Sequence, residues 1–122
     1  SKAIELDSIS IIFCYRGISK NDLQDYRGAI SDYSKAIQIE PKNEIAFYNR
    51  GISKYNLLDY SGAINDFNKT IEINSKNKEA YYYRGIIKIK NLKQKNSGCL
   101  DLSKAGELGL DKAYDEIKKY CQ

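Results

Sequence analysis

What most constrains this chain is a period of 34 residues. Tyr15-Arg16-Gly17-Ile18-Ser19-Lys20 returns as Asn49-Arg50-Gly51-Ile52-Ser53-Lys54 and again as Tyr83-Arg84-Gly85-Ile86-Ile87-Lys88. The second half of the unit recurs as well: Asp25-Tyr26-Arg27-Gly28-Ala29-Ile30 against Asp59-Tyr60-Ser61-Gly62-Ala63-Ile64, then Asp32-Tyr33 against Asp66-Phe67. The third copy is looser, with Ser97-Gly98-Cys99 in place of Gly-Ala-Ile and one extra residue between Asn91 and Asn96. A fixed period of this length is the mark of a repeat architecture, in which each unit is one supersecondary element.

Inside the unit, Tyr26, Ala29, Ile30, Tyr33, Ala36 and Ile37 follow the i, i+3, i+4, i+7 spacing of an amphipathic helix. Tyr60, Ala63, Ile64, Phe67, Thr70 and Ile71 do the same. Short polar turns at Gln24-Asp25 and Leu58-Asp59 make each unit an antiparallel helix pair, and Pro41 stops the second helix of the first pair. First helices are predicted over residues 10–22, 44–57 and 78–91, and second helices over 26–39, 60–73 and 96–107. A single pair cannot bury its apolar stripe, so successive pairs must stack. Repeats then run over residues 10–43, 44–77 and 78–110. Residues 1–9 repeat the Lys-Ala-Ile pattern of Lys35 and read as the end of a preceding helix. Residues 111–122 carry Ala113, Tyr114, Ile117 and Tyr120 on one stripe and read as a capping helix.

Such a unit resembles the tetratricopeptide repeat: a small residue after the first turn, Ala early in the second helix, an aromatic four later, Ala three beyond and Pro at the end. Gly17, Ala29, Tyr33, Ala36 and Pro41 fill that pattern; Gly51, Ala63 and Phe67 follow, whereas Thr70, Ser75 and Leu102 depart from it. The Arg-Gly pair with Lys three beyond resembles a bacterial subgroup of the family. The resemblance implies an all-α fold, a right-handed superhelix of antiparallel helix pairs, and the work of a scaffold binding a peptide or protein segment in a concave groove lined by first helices. It calls for no cofactor. On that face lie Cys14, Tyr15 and Ile18; Tyr48, Asn49, Ile52, Tyr55 and Asn56; and Glu79, Tyr82, Tyr83, Ile86, Ile89 and Lys90. The ligand-binding set is taken as Tyr15, Ile18, Tyr48, Asn49, Ile52, Tyr55, Tyr82, Tyr83 and Ile86, because Phe13, Phe47 and Tyr81 already fill the inward places. Some relatives clamp acidic chaperone tails with two Lys, two Asn and an Arg. Here those places hold Cys14, Ile18, Asn49, Glu79 and Tyr83, which predicts no such clamp.

The repeat itself pairs Arg16, Arg50 and Arg84 with Asp32, Asp66 and Asp101 on the facing helix, a geometry suited to bidentate ion pairs. Composition narrows the rivals. No histidine is present, which removes the usual neutral-pH proton shuttle and commonest metal ligand, so neither catalysis nor a metal site is expected. Twenty basic residues against 16 acidic leave +4, a mild surplus. RNA binding through Lys88, Lys90, Lys93 and Lys95, or self-association through the amino-terminal edge, are the alternatives. Three free thiols are the expectation, with Cys99 and Cys121 the one pair whose helices should pack together. No run reaches the ~18 apolar residues of a membrane span. The start Ser1-Lys2-Ala3-Ile4-Glu5 reads as the interior of a helix, which leaves the compartment open, the cytoplasm favoured and export allowed by an upstream leader.

Overall fold

The computed structural model describes residues 2–122, and those residues form helices α1 (Lys2–Asp22), α2 (Tyr26–Ile39), α3 (Glu44–Asn56), α4 (Tyr60–Ile73), α5 (Lys78–Lys90), α6 (Lys95–Glu107) and α7 (Lys112–Tyr120). No strand occurs among the described residues. Two compact units divide within α4, one up to Lys69 and one from Thr70.

Local chemistry sets the helix ends. Asn43 and Asn77 cap α3 and α5, each accepting a hydrogen bond from the backbone N–H three residues on, at 3.0 Å. In the turns that join first to second helices, Gln24, Leu58 and Lys93 take left-handed backbone conformations, with φ of 65°, 66° and 55°. The next residue then closes the turn on a lysine carbonyl: Asp25 N–H to Lys20 and Asp59 N–H to Lys54, five residues back, but Gln94 N–H to Lys88, six back. The extra residue of the third repeat is therefore absorbed in this turn, and the helices on either side keep their register.

One boundary differs from the sequence reading. Residues 2–9 do not end a separate helix; they run unbroken into α1, which is 21 residues long. Where later repeats carry Pro41-Lys42-Asn43 and Ser75-Lys76-Asn77, this stretch reads Asp7-Ser8-Ile9. With neither a proline nor an asparagine cap, nothing stops the helix.

In the first unit the core is Cys14, Ala29, Tyr33, Ala36 and Ala46, with Phe13, Ile18 and Ile37 packed against it. Small residues admit large ones. A Cβ on Gly17 would stand 2.7 Å from the ring of Tyr33, and one on Gly51 would stand 2.8 Å from the ring of Phe67. In the second unit Leu102 replaces the aromatic ring, and α5 and α6 approach backbone to backbone, so that a Cβ on Gly98 would lie 2.7 Å from the carbonyl oxygen of Gly85. That closeness accounts for Gly98 where the other repeats have alanine. The α7 helix packs on α6, with the Tyr114 ring against Gly106.

The arginine pairs form in all three repeats. Arg16 reaches Asp32 at 3.0 and 2.7 Å, Arg50 reaches Asp66 at 2.9 and 2.8 Å, and Arg84 reaches Asp101 at 2.8 and 2.7 Å, each through Nε and Nη2. Each carboxylate also takes a lysine one turn on: Lys20 at 3.1 Å, Lys54 at 3.1 Å and Lys88 at 3.0 Å. Each guanidinium lies over the ring three residues before it, Phe13 at 5.2 Å, Phe47 at 5.5 Å and Tyr81 at 5.5 Å. A buried carboxylate is tolerable only when paired and hydrogen-bonded, and here each buried aspartate meets two cations.

Candidate functional site

Because α1 and α3 bury their glycine faces against second helices, their neighbouring stripes turn outward with the predicted ligand-binding residues. Tyr15 is 67% exposed. Ile18, Tyr48, Asn49, Ile52 and Tyr55 are half-buried. The ring of Tyr48 leans on Phe67 at 6.0 Å between centroids, and Tyr55 leans on Tyr60 at 6.0 Å, so both are held rigid while keeping an open side. Asn49 donates from Nδ2 to the carbonyl of Ile45, one turn back, at 2.9 Å.

On α5, in the second unit, Tyr82 and Tyr83 are half-buried and meet edge to face at 5.2 Å. Their exposed side is not bare: Lys112 from α7 places its ammonium 4.6 Å from the Tyr82 ring centre and 5.5 Å from that of Tyr83. Ile86 lies deeper, only 6% exposed, and belongs to the core as much as to the surface. Lys112 had no signal in the sequence, since a single lysine at the start of a capping helix carries no pattern.

The reading of three free thiols is corrected. Cys99 on α6 and Cys121 just beyond α7 form a disulfide, with Cα atoms 5.9 Å apart. Packing of α7 on α6 brings the two Cβ atoms together, which is what a bond of fixed reach requires. Cys14 is the free cysteine among the described residues, and it is buried. Its thiol accepts from Asn43 Nδ2 at 3.3 Å, and the same amide donates to Ser10 Oγ at 2.9 Å. Burial pushes the thiol above its ordinary value, outweighing that hydrogen bond, and the charge of Glu40 adds to the rise.

The lysines of the basic end are mostly engaged. Lys88 bonds Asp101 and Ser97, Lys90 stands over the Tyr120 ring, and Lys95 reaches the carbonyl of Gln122. A cleft of about 440 Å³ opens beside Cys14, between α1 and the turn into α3, with walls of Ile11, Tyr15, Ile18 and Ile45 and a polar rim of Asp7, Glu40 and Asn43. Its one advance signal was Cys14 itself, standing where the later repeats have Tyr48 and Tyr82. Among the described residues no group of acids and cysteines could hold a metal, and no helix is long and apolar enough to cross a membrane.

These features define a helical-repeat protein built of antiparallel pairs, each stapled by an arginine–aspartate fork and presenting one stripe of its first helix. Residues 19–57 match the model of the TPR repeat family, and the chain has the all-α fold of a tetratricopeptide-repeat solenoid. No curated protein matches it by sequence. Among solved structures it is similar to the first TPR of Spaghetti (RPAP3) bound to the HSP90 peptide SRMEEVD, with 23% identity, 95% of this chain and 93% of that chain covered, and a TM-score of 0.90. The Arabidopsis OM64 TPR domain gives 22% identity, coverage of 93% and 98%, and a TM-score of 0.86. The TPR2B domain of yeast Sti1, in its pHsp70 complex, gives 20% identity, coverage of 92% and 98%, and a TM-score of 0.82. At these identities the likeness is one of fold.

Proposed function

We propose that the chain is a protein-interaction scaffold that receives a peptide or protein segment against the outward stripes of its first helices. The observation that carries this reading is the state of the rings. Tyr48 and Tyr55 are braced by Phe67 and Tyr60 beneath them yet keep accessible surface, and Tyr15 stands largely free of the core. Rigid aromatics offer contact area at small entropy cost, and Asn49 retains its oxygen for an extended partner chain. Two similar TPR domains are known with chaperone-derived partners, an HSP90 peptide and pHsp70, which supports the assignment of a binding role to this fold.

The partner here is not an acidic chaperone tail. Cys14, Ile18, Glu79 and Tyr83 supply no positive charge where the clamp needs it, and the one matching amide, Asn49, is partly spent on Ile45. A peptide-display selection against the intact chain supplies test ligands. Substituting Tyr48 and Tyr55 together by alanine should weaken the selected ligands by about 2 kcal/mol or more, measured below the melting transition where circular dichroism shows the helices retained. Affinity that survives this double substitution would remove the stripe from the binding surface.

A second reading has its own observation. Ile4, Leu6, Ile9, Ile11 and Ile12 on α1 are exposed, and Ile12 stands where the later repeats carry the fully buried Ala46 and Ala80. Such a row supports self-association. Sedimentation that is independent of concentration into the high micromolar range would dismiss it.

A further inference from the structure

The cleft beside Cys14 differs in kind from the aromatic stripes. Its walls are aliphatic and aromatic, Ile11 and Ile45 are half or more exposed, and both charged residues on its lining are acids, Asp7 from α1 and Glu40 from the end of α2. Where repeats two and three carry Tyr48 and Tyr82 at the equivalent position, the smaller Cys14 lines the cleft. Glu40 and Cys14 line the same cleft.

We infer that this cleft is a pocket for a cationic side chain, and that the segment bound by the scaffold presents an arginine or lysine flanked by apolar residues at this point. The inference rests on the scaffold reading and adds the chemistry of the partner to it. An arginine or lysine side chain combines an apolar stem with a charged head. The stem finds Ile11, Tyr15, Ile18 and Ile45; the head finds the carboxylates of Asp7 and Glu40. An acidic or purely apolar residue would leave Asp7 and Glu40 beside a covered, partly desolvated cleft with no counter-charge, which specificity by charge exploits. The site is therefore opposite in sign to one that reads acidic tails.

Cys14 reports on the cleft from within. At fixed pH and with the Cys99–Cys121 bond intact, its modification rate is measured with cationic aminoethyl methanethiosulfonate and anionic sulfonatoethyl methanethiosulfonate. The ratio of the two rates is then divided by the same ratio for free mercaptoethanol. The corrected ratio should favour the cation by roughly tenfold or more, as acid-lined clefts concentrate cations. Asp7→Asn with Glu40→Gln should bring it near one, and the ratio cancels any change in thiolate fraction. In a second arm, acetyl-Leu-Arg-Leu-amide should slow modification by neutral methyl methanethiosulfonate, whereas acetyl-Leu-Glu-Leu-amide should not. A corrected ratio near one in the wild type, equal protection by the two peptides, or no reaction with any reagent would overturn the pocket. None of these readouts uses Tyr48 or Tyr55, so a failure here leaves the aromatic-stripe test standing, and the reverse also holds.

Discussion

A methyl group added to Gly51 would stand 2.8 Å from Cε1 of Phe67, closer than carbon atoms approach in folded proteins. The glycine on the first helix and the ring on the second are one packing decision written at two places in the sequence. Phe67 is fully buried and cannot swing aside. Gly51→Ala should therefore destabilise the fold by about 1 to 3 kcal/mol, despite the better helix propensity of alanine, because overpacking costs more than propensity returns. Phe67→Ala should cost roughly 3 to 5 kcal/mol. Urea denaturation followed by circular dichroism measures both, and a stabilised Gly51→Ala protein would refute the contact.

The fork between Arg50 and Asp66 predicts strong coupling. Asp66 is buried and meets Arg50 twice and Lys54 once, and Arg50 also donates to Ser34 Oγ at 3.2 Å in the preceding pair. Removing the carboxylate strands two cations, so Asp66→Ala should cost about 3 to 5 kcal/mol. In a double-mutant cycle with Arg50→Ala, the two losses should fall short of additivity by about 1 kcal/mol or more. Additive losses would mean that the pair contributes nothing of its own.

The same fork in the first repeat gives a pH dependence. The hydrogen bond from Arg16 holds the Asp32 carboxyl below its ordinary value of 3.8, with Lys20 assisting against the opposing effect of burial. A folded value lower than the unfolded one means that the unfolded chain takes up the proton first. The stabilisation is thus complete above the ordinary carboxylate range and is lost as pH falls through 3.8 and below. Melting temperatures measured from pH 7 down to about 2 should show this fall, and Asp32→Asn should flatten it. An unchanged slope in that variant would assign the acid sensitivity elsewhere.

Tyr33 carries a hydroxyl with no hydrogen-bond partner although its side chain is fully buried. Desolvation is the main reason its phenol resists ionisation. Its counterpart in the next repeat, Phe67, does without the oxygen. Tyr33→Phe should be neutral or stabilising by up to about 1 to 3 kcal/mol, the desolvation cost of an unpaired polar group. A clear destabilisation would show that the hydroxyl has a partner, such as a trapped water.

How far the sequence could be read follows from what repeats and what does not. The helix pairs and the fork partners were legible because each occurs three times, the forks at separations of 16, 16 and 17 residues, and the inserted residue was legible as the one break in that period. The lysine that joins each fork was visible as Lys20, Lys54 and Lys88 but unassigned, since periodicity alone does not say which facing residue a lysine meets. Features that occur once were hidden. The continuous α1 rests on the absence of a cap at Ile9; Lys112 over Tyr82 and Tyr83 and the acids around the Cys14 cleft depend on how one helix end meets another. Ile86, placed on the binding face by its register, sinks to the core because exposure depends on neighbours that periodicity does not describe.

The Cys99–Cys121 bond yields the last expectation. It ties the end of α7 to α6 across 22 residues of chain that include all of α7. Closing a loop of this size in the unfolded state is worth roughly 3 kcal/mol in the chain-entropy account. Apart from this bond, α7 is held mainly by Ala113, which is fully buried, the Tyr114 ring on Gly106, and Ile117; the helix has nine residues, too few to persist alone. Reduction should therefore loosen α7 before it unfolds the rest. Amide hydrogen exchange after mild reduction should rise across residues 111–121 while α2 and α3 stay protected, and urea stability should drop by about 2 to 4 kcal/mol. Lys112 would leave with the helix, so the rings of Tyr82 and Tyr83 should become more accessible to a tyrosine-modifying reagent such as tetranitromethane. Disulfides persist where the surroundings are oxidising, so in a reducing compartment this end of the protein would rely on packing alone. Unchanged exchange across α7 on reduction, or three titratable thiols in unreduced protein, would refute the staple.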